Sequence, residues 1–326
     1  MKFALLGYGF MGGAHLAAIQ RIPDAEVKAV STRTRPTADA PARGNLDLAS
    51  GPLPDTVQWN PDWRAVIADP EIDAIDVCLP TDMHREVVLA AFAAGKHVLS
   101  EKPMALTVAE CDELLAAAAK SGRTFMIGQV LRFMYPYRYA AQFLDRVGRE
   151  NVTHCILRRS AGYPQWGGWL TEESRSGGAI LDMLCHDLDM ALDLFGQPKS
   201  VRAVSIGPVD TMRGTLHYAS GLDVIVEGGW LNPEAAFSAS FEIQAPDARL
   251  VHHDNQLIQT LHGVEAPVEI PAHDPYFDEI AYFVECCRNN QPPNVCPPSE
   301  SALAVKLALQ LKASREAGGQ ELVWQQ

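Results

Sequence analysis

Near its start the chain reads Lys2-Phe3-Ala4-Leu5-Leu6-Gly7-Tyr8-Gly9-Phe10-Met11-Gly12. An apolar run enters G-x-G-x-x-G, and helical spacing follows over His15–Arg21, which predicts a strand, a tight turn and a helix. Each glycine has its own reason: Gly7 permits the turn, Gly9 lets the backbone approach a pyrophosphate, and Gly12 lets helix and strand pack closely. The helix N-terminus supplies N–H groups and a dipole that favour anions. Gly7, Gly9, Phe10, Met11 and Gly12 are therefore expected to hold a dinucleotide. A purely structural glycine turn competes with that reading, and the strand–helix context counts against it.

Working outward, strand and helix continue to alternate. Val27–Val30, Ile72–Leu79, His97–Leu99 and Phe125–Ile127 read as short buried strands, and Val87–Ala94 and Val108–Lys120 read as helices stopped by Gly95 and Gly122. Non-alternating apolar strands separated by helices predict a parallel sheet covered on both faces. The segment from Arg33 to Asp55 carries four prolines and reads as a loop. The second half differs. Val152–Arg158, Val201–Ile206, Thr215–Tyr218, Asp223–Glu227 and Ser238–Gln244 look like strands pairing antiparallel in succession, closed by helices at Phe277–Arg288 and Ala302–Ala317. A boundary near Gly128–Tyr135 divides the chain into a nucleotide domain, 1–128, and a substrate domain, 129–326.

The end of the second strand bears on the cofactor. An NAD site usually offers an acid about 20 residues after the glycines, for the ribose 2′-hydroxyl. Here that place reads Ser31-Thr32-Arg33-Thr34-Arg35. Ser31, Thr32 and a bidentate Arg33 suit a 2′-phosphate, so NADP is expected ahead of NAD. The alternative is that these arginines are solvated loop residues and either cofactor is used.

Composition bounds the remaining possibilities. The 326 residues suggest two domains, and 27 basic against 40 acidic side chains give a formal net charge of −13. So acidic a surface disfavours nucleic acid and anionic lipid as partners. The longest apolar run, Val87 to Ala94, is far shorter than the roughly 20 residues that span a bilayer. Seven scattered cysteines without a CxxC pair read as reduced thiols, and a cytoplasmic protein is expected.

Two further groups carry chemistry. Glu101-Lys102-Pro103 follows a strand, where ligands of open parallel sheets bind, so Lys102 is placed as a cation beside the cofactor. Gly177-Gly178 precedes what reads as one helix from Ala179 to Phe195. Advancing 100° per residue brings Asp182, His186, Asp189 and Asp193 onto one narrow stripe. Three readings compete for it: a solvated seam, a metal site, and a general base, His186, with Asp182 one turn away. A metal site lacks a defined third ligand, and none is expected. Arg132, Tyr163 and Trp169 are candidates to contact substrate, since aromatic faces suit the apolar faces of sugars. Packing is an equally good account of the aromatics.

Taken together and in this order, Gly7–Gly12 with His15, Glu101-Lys102-Pro103, and Gly177-Gly178 with Asp182 and His186 resemble the motifs of the Gfo/Idh/MocA (glucose–fructose oxidoreductase / inositol dehydrogenase) family. The resemblance covers essentially the whole chain. It implies an α/β Rossmann domain followed by an α+β domain with a large, mostly antiparallel sheet, through which homo-oligomers (dimer or tetramer) commonly form. It also implies Lys102 and His186 as the catalytic pair, with Asp182 in support. Leu79-Pro80-Thr81-Asp82-Met83-His84 is similar to the family's T-P-N/T-x-x-H segment, with Leu79 where Thr is common. Leu79, Pro80, Thr81, His84 and Glu101 join the expected cofactor set. Substrate contacts are expected from Lys102, Arg132, Tyr163, Trp169, Asp182 and His186. The activity implied is hydride transfer between a secondary alcohol of a sugar or cyclic polyol and nicotinamide. Two alternatives remain: a non-catalytic dinucleotide-binding regulator, and a glycosidase or lyase that uses nicotinamide transiently.

Overall fold

The structure, a computed structural model, describes residues 1–36, 53–165 and 168–325. It divides into two compact units, Met1–Val130 with Asp274–Ala302, and Leu131–His273 with Leu303–Gln326. Among the described residues no helix is long and apolar enough to cross a membrane.

In the first unit the order is β1 (Lys2–Leu6), α1 (Phe10–Ile19), β2 (Glu26–Ser31), β3 (Gln58–Trp59), α2 (Trp63–Ala68), β4 (Ala74–Val77), α3 (His84–Ala93), β5 (His97–Glu101), α4 (Val108–Ser121) and β6 (Phe125–Gly128). The strands form one parallel sheet in the order β3-β2-β1-β4-β5-β6. The chain order reverses between β1 and β4, and ligands of such sheets bind beyond the carboxyl ends of the strands at that reversal. Local chemistry explains the helices. Thr107 and Glu110 form a reciprocal capping box at the start of α4, and Gly122 ends it with a left-handed backbone. The loop expected from Arg33 to Asp55 lies largely outside the described residues.

The second unit begins with α5 (Tyr135–Val147), which the sequence reading passed over. It continues with β7 (His154–Gly162), α6 (Glu173–Ser176), α7 (Gly178–Asp182), α8 (Cys185–Phe195), β8 (Ser200–Ser205), β9 (Thr211–His217), β10 (Asp223–Leu231), β11 (Ser238–Ala245), β12 (Ala248–His253), β13 (Gln256–Leu261) and β14 (Val264–Val268). After α9 (Pro275–Asn289), which belongs to the first unit, come α10 (Pro298–Glu316) and β15 (Leu322–Val323). Nine strands make one sheet in the order β14-β13-β12-β11-β7-β10-β9-β8-β15. All neighbours pair antiparallel except β7 and β10, which run parallel from Cys155↔Val224 to Gly162↔Leu231. This corrects the expectation of purely successive antiparallel pairing: three helices and two strands intervene before β10, a return long enough for a parallel neighbour. Period-2 alternation turns Cys155, Leu157, Arg159 and Ala161 of β7 inward, as it does Phe241 and Ile243 of β11.

Two expectations change. The helix Phe277–Arg288, assigned with 129–326, is α9 and groups with the first unit. Asp274 caps it by accepting from the N–H groups of Tyr276 and Phe277, Phe283 meets Phe3 at 6.2 Å between ring centroids, and Arg288 donates to the Pro23 carbonyl. The single helix over 179–195 is broken at Met183-Leu184 into α7 and α8.

Helix α8 is held by two buried arginines. Asp187 accepts from Arg159 Nε at 2.6 Å, and the same guanidinium donates to Tyr137 Oη at 3.1 Å. Asp189 accepts a two-pronged contact from Arg132, at 2.7 Å from Nε and 2.8 Å from Nη2. Residues 187 and 189 point about 200° apart on a helix, so the pairs grip α8 from two sides and set its rotation. Arg132, expected at the substrate, therefore sits in the core, its planar fork matched to a wholly buried carboxylate. Arg132→Met should leave Asp189 buried without its cation and cost about 3–5 kcal/mol. Urea unfolding reads this, and adding Asp189→Leu should recover most of the loss.

Candidate active site

At the carboxyl end of β1 the glycine positions are explained by close approach. Gly7 has φ +95°, and a Cβ there would lie 2.3 Å from the Cys78 carbonyl oxygen; one on Gly12 would lie 2.2 Å from that of Gly7. Gly7 donates its N–H to the Ser31 carbonyl at 2.8 Å, and Cys78 donates to Leu6 at 2.7 Å, so the ends of β2, β1 and β4 are drawn together. Gly9 is different: a Cβ on it meets nothing within 4 Å. It is the N-cap of α1, and no side chain caps that helix. An uncapped helix start beside open space at the sheet's reversal point fits a dinucleotide pyrophosphate, with Phe10, Met11 and Gly12 in the first turn.

The neighbouring expected residues are placed as follows. Ser31 is buried at the end of β2, the Thr32 carbonyl accepts from Trp59 Nε1 at 3.0 Å, and Arg33 is exposed. After β4, Leu79-Pro80 leads into a short 3-10 turn over Thr81–Met83, with Thr81 buried. His84 is also buried, its Nε2 2.9 Å from the Leu79 carbonyl oxygen and its Nδ1 3.0 Å from that of Pro103. Burial pushes His84 below the ordinary imidazole range, and a neutral ring donates to one of those two carbonyls. His84 thus joins the turn after β4 to the segment after β5.

That segment carries Lys102, whose peptide bond to Pro103 is cis. Glu101, at the end of β5, accepts the Lys102 backbone N–H on Oε2 at 3.1 Å. Its Oε1 lies 3.2 Å from Nε2 of His15, a wholly buried residue of α1. Nδ1 of His15 lies 2.9 Å and 3.1 Å from the two oxygens of Asp76 on β4. Burial alone would raise the Glu101 carboxyl, but the His15 contact and the charge of Lys102 hold it below its usual range. His15, Asp76 and Cys78 place ligand-type atoms within 4.8 Å of one another, yet the His15 to Asp76 distances are those of charge-assisted hydrogen bonds. The sequence reading had His15 only as part of the opening motif and missed Asp76. The signal was present: an acid inside the apolar strand Ala74–Val77 must find a cation.

In the second unit, Asp182 ends α7 and His186 is the second residue of α8, both half-buried. Asp189, read onto the same stripe, is the core partner of Arg132, and exposed Asp193 lies 3.5 Å from that guanidinium. The stripe therefore separates into a half-buried Asp182/His186 part and a structural part. Tyr163 packs edge-on against Trp230 at 5.6 Å, in a cluster with Ala161, Ala179 and Met183. Trp169 is half-buried in a short turn over Gly168–Thr171; Trp166 and Gly167 of that loop lie outside the described residues.

A parallel sheet reversing at a glycine loop, in a chain that continues into an α+β unit, is the architecture of a two-unit dinucleotide-binding protein. The chain belongs to the GFO/IDH/MocA family. The model for the oxidoreductase family with an NAD-binding Rossmann fold matches residues 1–129, and that for the GFO/IDH/MocA C-terminal domain matches 137–251. Myo-inositol 2-dehydrogenase of Thermotoga maritima is 26% identical over 97% of this chain and 96% of its own length. The uncharacterized oxidoreductase YrbE of Bacillus subtilis is 28% identical over 68% of this chain, and the match spans 65% of that protein. A levoglucosan dehydrogenase solved with NADH and levoglucosan shares the fold across the full length of both chains, with a TM-score of 0.83 at 20% identity.

The glycine geometry separates two substitutions. Gly9→Ala should leave the cofactor-free thermal midpoint unchanged and weaken dinucleotide binding about tenfold, the effect of losing 1.4 kcal/mol. Gly12→Ala should lower the midpoint itself, because its Cβ strikes backbone. Thermal melts and fluorescence titration with dinucleotide check both.

Proposed function

We propose that this protein is an NAD(P)-dependent dehydrogenase or reductase acting on a secondary alcohol of a sugar, inositol or related cyclic polyol. The observation that carries the reading is Lys102, placed just beyond the carboxyl end of β5 and held by Glu101 beside the glycine-loop helix. When bound, the nicotinamide supplies hydride acceptance and return. His186 takes the proton of the reacting hydroxyl, since only an imidazole titrates near neutrality in its ordinary range. Lys102 donates to the same oxygen and stabilises the charge that develops on it. Asp182 supports His186. In the reductive direction His186 returns the proton. Gly7, Gly9 and the first turn of α1 hold the pyrophosphate, with Leu79-Pro80-Thr81 as the facing turn. The myo-inositol and levoglucosan enzymes among the relatives support a polyol or sugar as substrate.

The cofactor preference proposed is NADP, through exposed Arg33 beyond Ser31 and Thr32. For assembly we propose a homo-oligomer through the sheet face that bears the Arg213–Glu227 and Arg249–Glu242 pairs, which light scattering tests.

The deciding experiment follows absorbance at 340 nm with NADP⁺ and NAD⁺ over sugars, inositols and sugar acids. Reduction with a polyol is expected. Glycoside turnover without net reduction would instead indicate transient nicotinamide use, and dinucleotide binding without turnover a regulator. On the substrate so found, Lys102→Ala and His186→Ala should each lower kcat about 10²–10⁴-fold with dinucleotide affinity retained. Near-normal turnover in either variant would sink the mechanism. Arg33→Ala should weaken NADP⁺ binding about tenfold and leave NAD⁺ binding unchanged, read by fluorescence titration.

A further inference from the structure

Resting on the reading of Lys102 as donor to the reacting oxygen, we propose that His15 is a positioning residue: an imidazolium that ties the glycine-loop helix to Glu101 and, through Glu101, sets the peptide that carries Lys102.

Both ring nitrogens of His15 face carboxylates, Nδ1 at 2.9 Å from Asp76 and Nε2 at 3.2 Å from Glu101. A neutral imidazole has one N–H, so one nitrogen would present its lone pair to a carboxylate oxygen. The Nδ1 side is a hydrogen bond and the Nε2 side a charge contact, and the doubly protonated ring is the form that both carboxylates favour. Burial by itself would push the ring down, but the charge and hydrogen bond of Asp76 outweigh it and hold His15 well above the ordinary range. The other groups facing this set keep the balance. Cys78 lies 3.5 Å from Nδ1, and burial with the nearby Asp76 raises its thiol, which stays neutral. From α9, burial together with the charges of Glu101 and Glu279 pushes the Tyr276 phenol up to about 12, so it too is neutral. Two cations, His15 and Lys102, therefore stand with the carboxylates Asp76 and Glu101, and the further carboxylate Glu279 acts on Tyr276 from α9.

Glu101 divides its two oxygens: Oε1 faces His15, and Oε2 accepts the Lys102 N–H. Its orientation is thus set on one side by α1, the helix that begins in the glycine loop, and read out on the other by the Lys102 backbone. Misplacement of a reacting group by about 1 Å can cost 10²-fold in rate. His15 is wholly buried and acts only through Glu101.

Two measurements test this. In the cofactor-free protein with ¹⁵N-labelled histidine, near pH 8 and above the ordinary imidazole pKa of about 6.5, His15 should show a proton on each ring nitrogen. The signal is identified by its loss in His15→Asn, or by its displacement in Glu101→Gln. A single ring proton overturns the proposal. Second, His15→Asn should lower kcat about 10²-fold with substrate KM and NADPH affinity within about threefold, and should cost little further in a Lys102→Ala background. Should His15→Asn fail to fold, Glu101→Gln, which keeps an amide oxygen for the Lys102 N–H, takes its place in the same cycle. Losses that simply multiply, or a variant that loses thermal stability while keeping its kcat, would mark a structural residue and overturn the inference alone. Near-normal turnover of Lys102→Ala overturns the functional reading and this inference together.

Discussion

Contact between backbones at Gly7 and Gly12 governs the cofactor end of the first unit. At these two positions the turn after β1, the start of α1 and the end of β4 come closer than any Cβ would allow. Because the strands are parallel, their carboxyl ends and the N-terminus of α1 share one edge. The switch in strand order opens a crevice there. The same close approach brings His15 of α1 over the ends of β4 and β5, within reach of Asp76 and Glu101. A larger residue at position 7 or 12 would push α1 away from the sheet and separate the imidazole from both carboxylates.

Four buried carboxylates of this acidic protein obey one physical rule. Buried carboxylates are tolerable only when a cation with matching geometry faces them. Asp76 and Glu101 have His15; Asp187 has Arg159; Asp189 has Arg132. The two arginine pairs cancel within the formal net charge of −13, so that balance falls on the remaining side chains, and only a protonated His15, counted as neutral in that sum, would reduce it. The pairs also have directional consequences. The two arginines fix the rotation of α8, and with it the direction from which His186 is presented in the second unit.

Much of the fold was legible because local signals agreed. The glycine motif after an apolar run, Gly95 and Gly122 after helical periods, and the buried run at Phe125–Ile127 each point to one element. Their alternation leaves few options other than a parallel sheet. The second unit was harder. Helix α5 starts with Tyr135-Pro136-Tyr137, which reads as a loop until its aromatic side meets the sheet, as Tyr137 meets Phe241. The three strands between Ala248 and Val268 have mixed polarity because one face of their sheet is solvated. Among the candidate residues, Lys102 stood out by its place after a strand, and Asp182 and His186 by their helical spacing. Arg132 could not be separated from a substrate contact, because its partner lies 57 residues away.

Sequence alone determined the character of the first half: G-x-G-x-x-G after a strand admits few other structures, since glycine is required where backbones touch. It also determined the candidate chemistry, because lysine after a strand end and histidine beside an acid are statements about residue type. Folding selected which charges are paired in the core, as at Asp187 and Asp189, and which remain half-buried, as at Asp182 and His186. It broke the helix at Met183-Leu184, sent Arg132 to Asp189, returned α9 to the first unit and enclosed His15 between two carboxylates. Each of these depends on partners distant in sequence. A long-range ion pair or packing contact is a property of distance and burial, and neither is defined until the chain has folded.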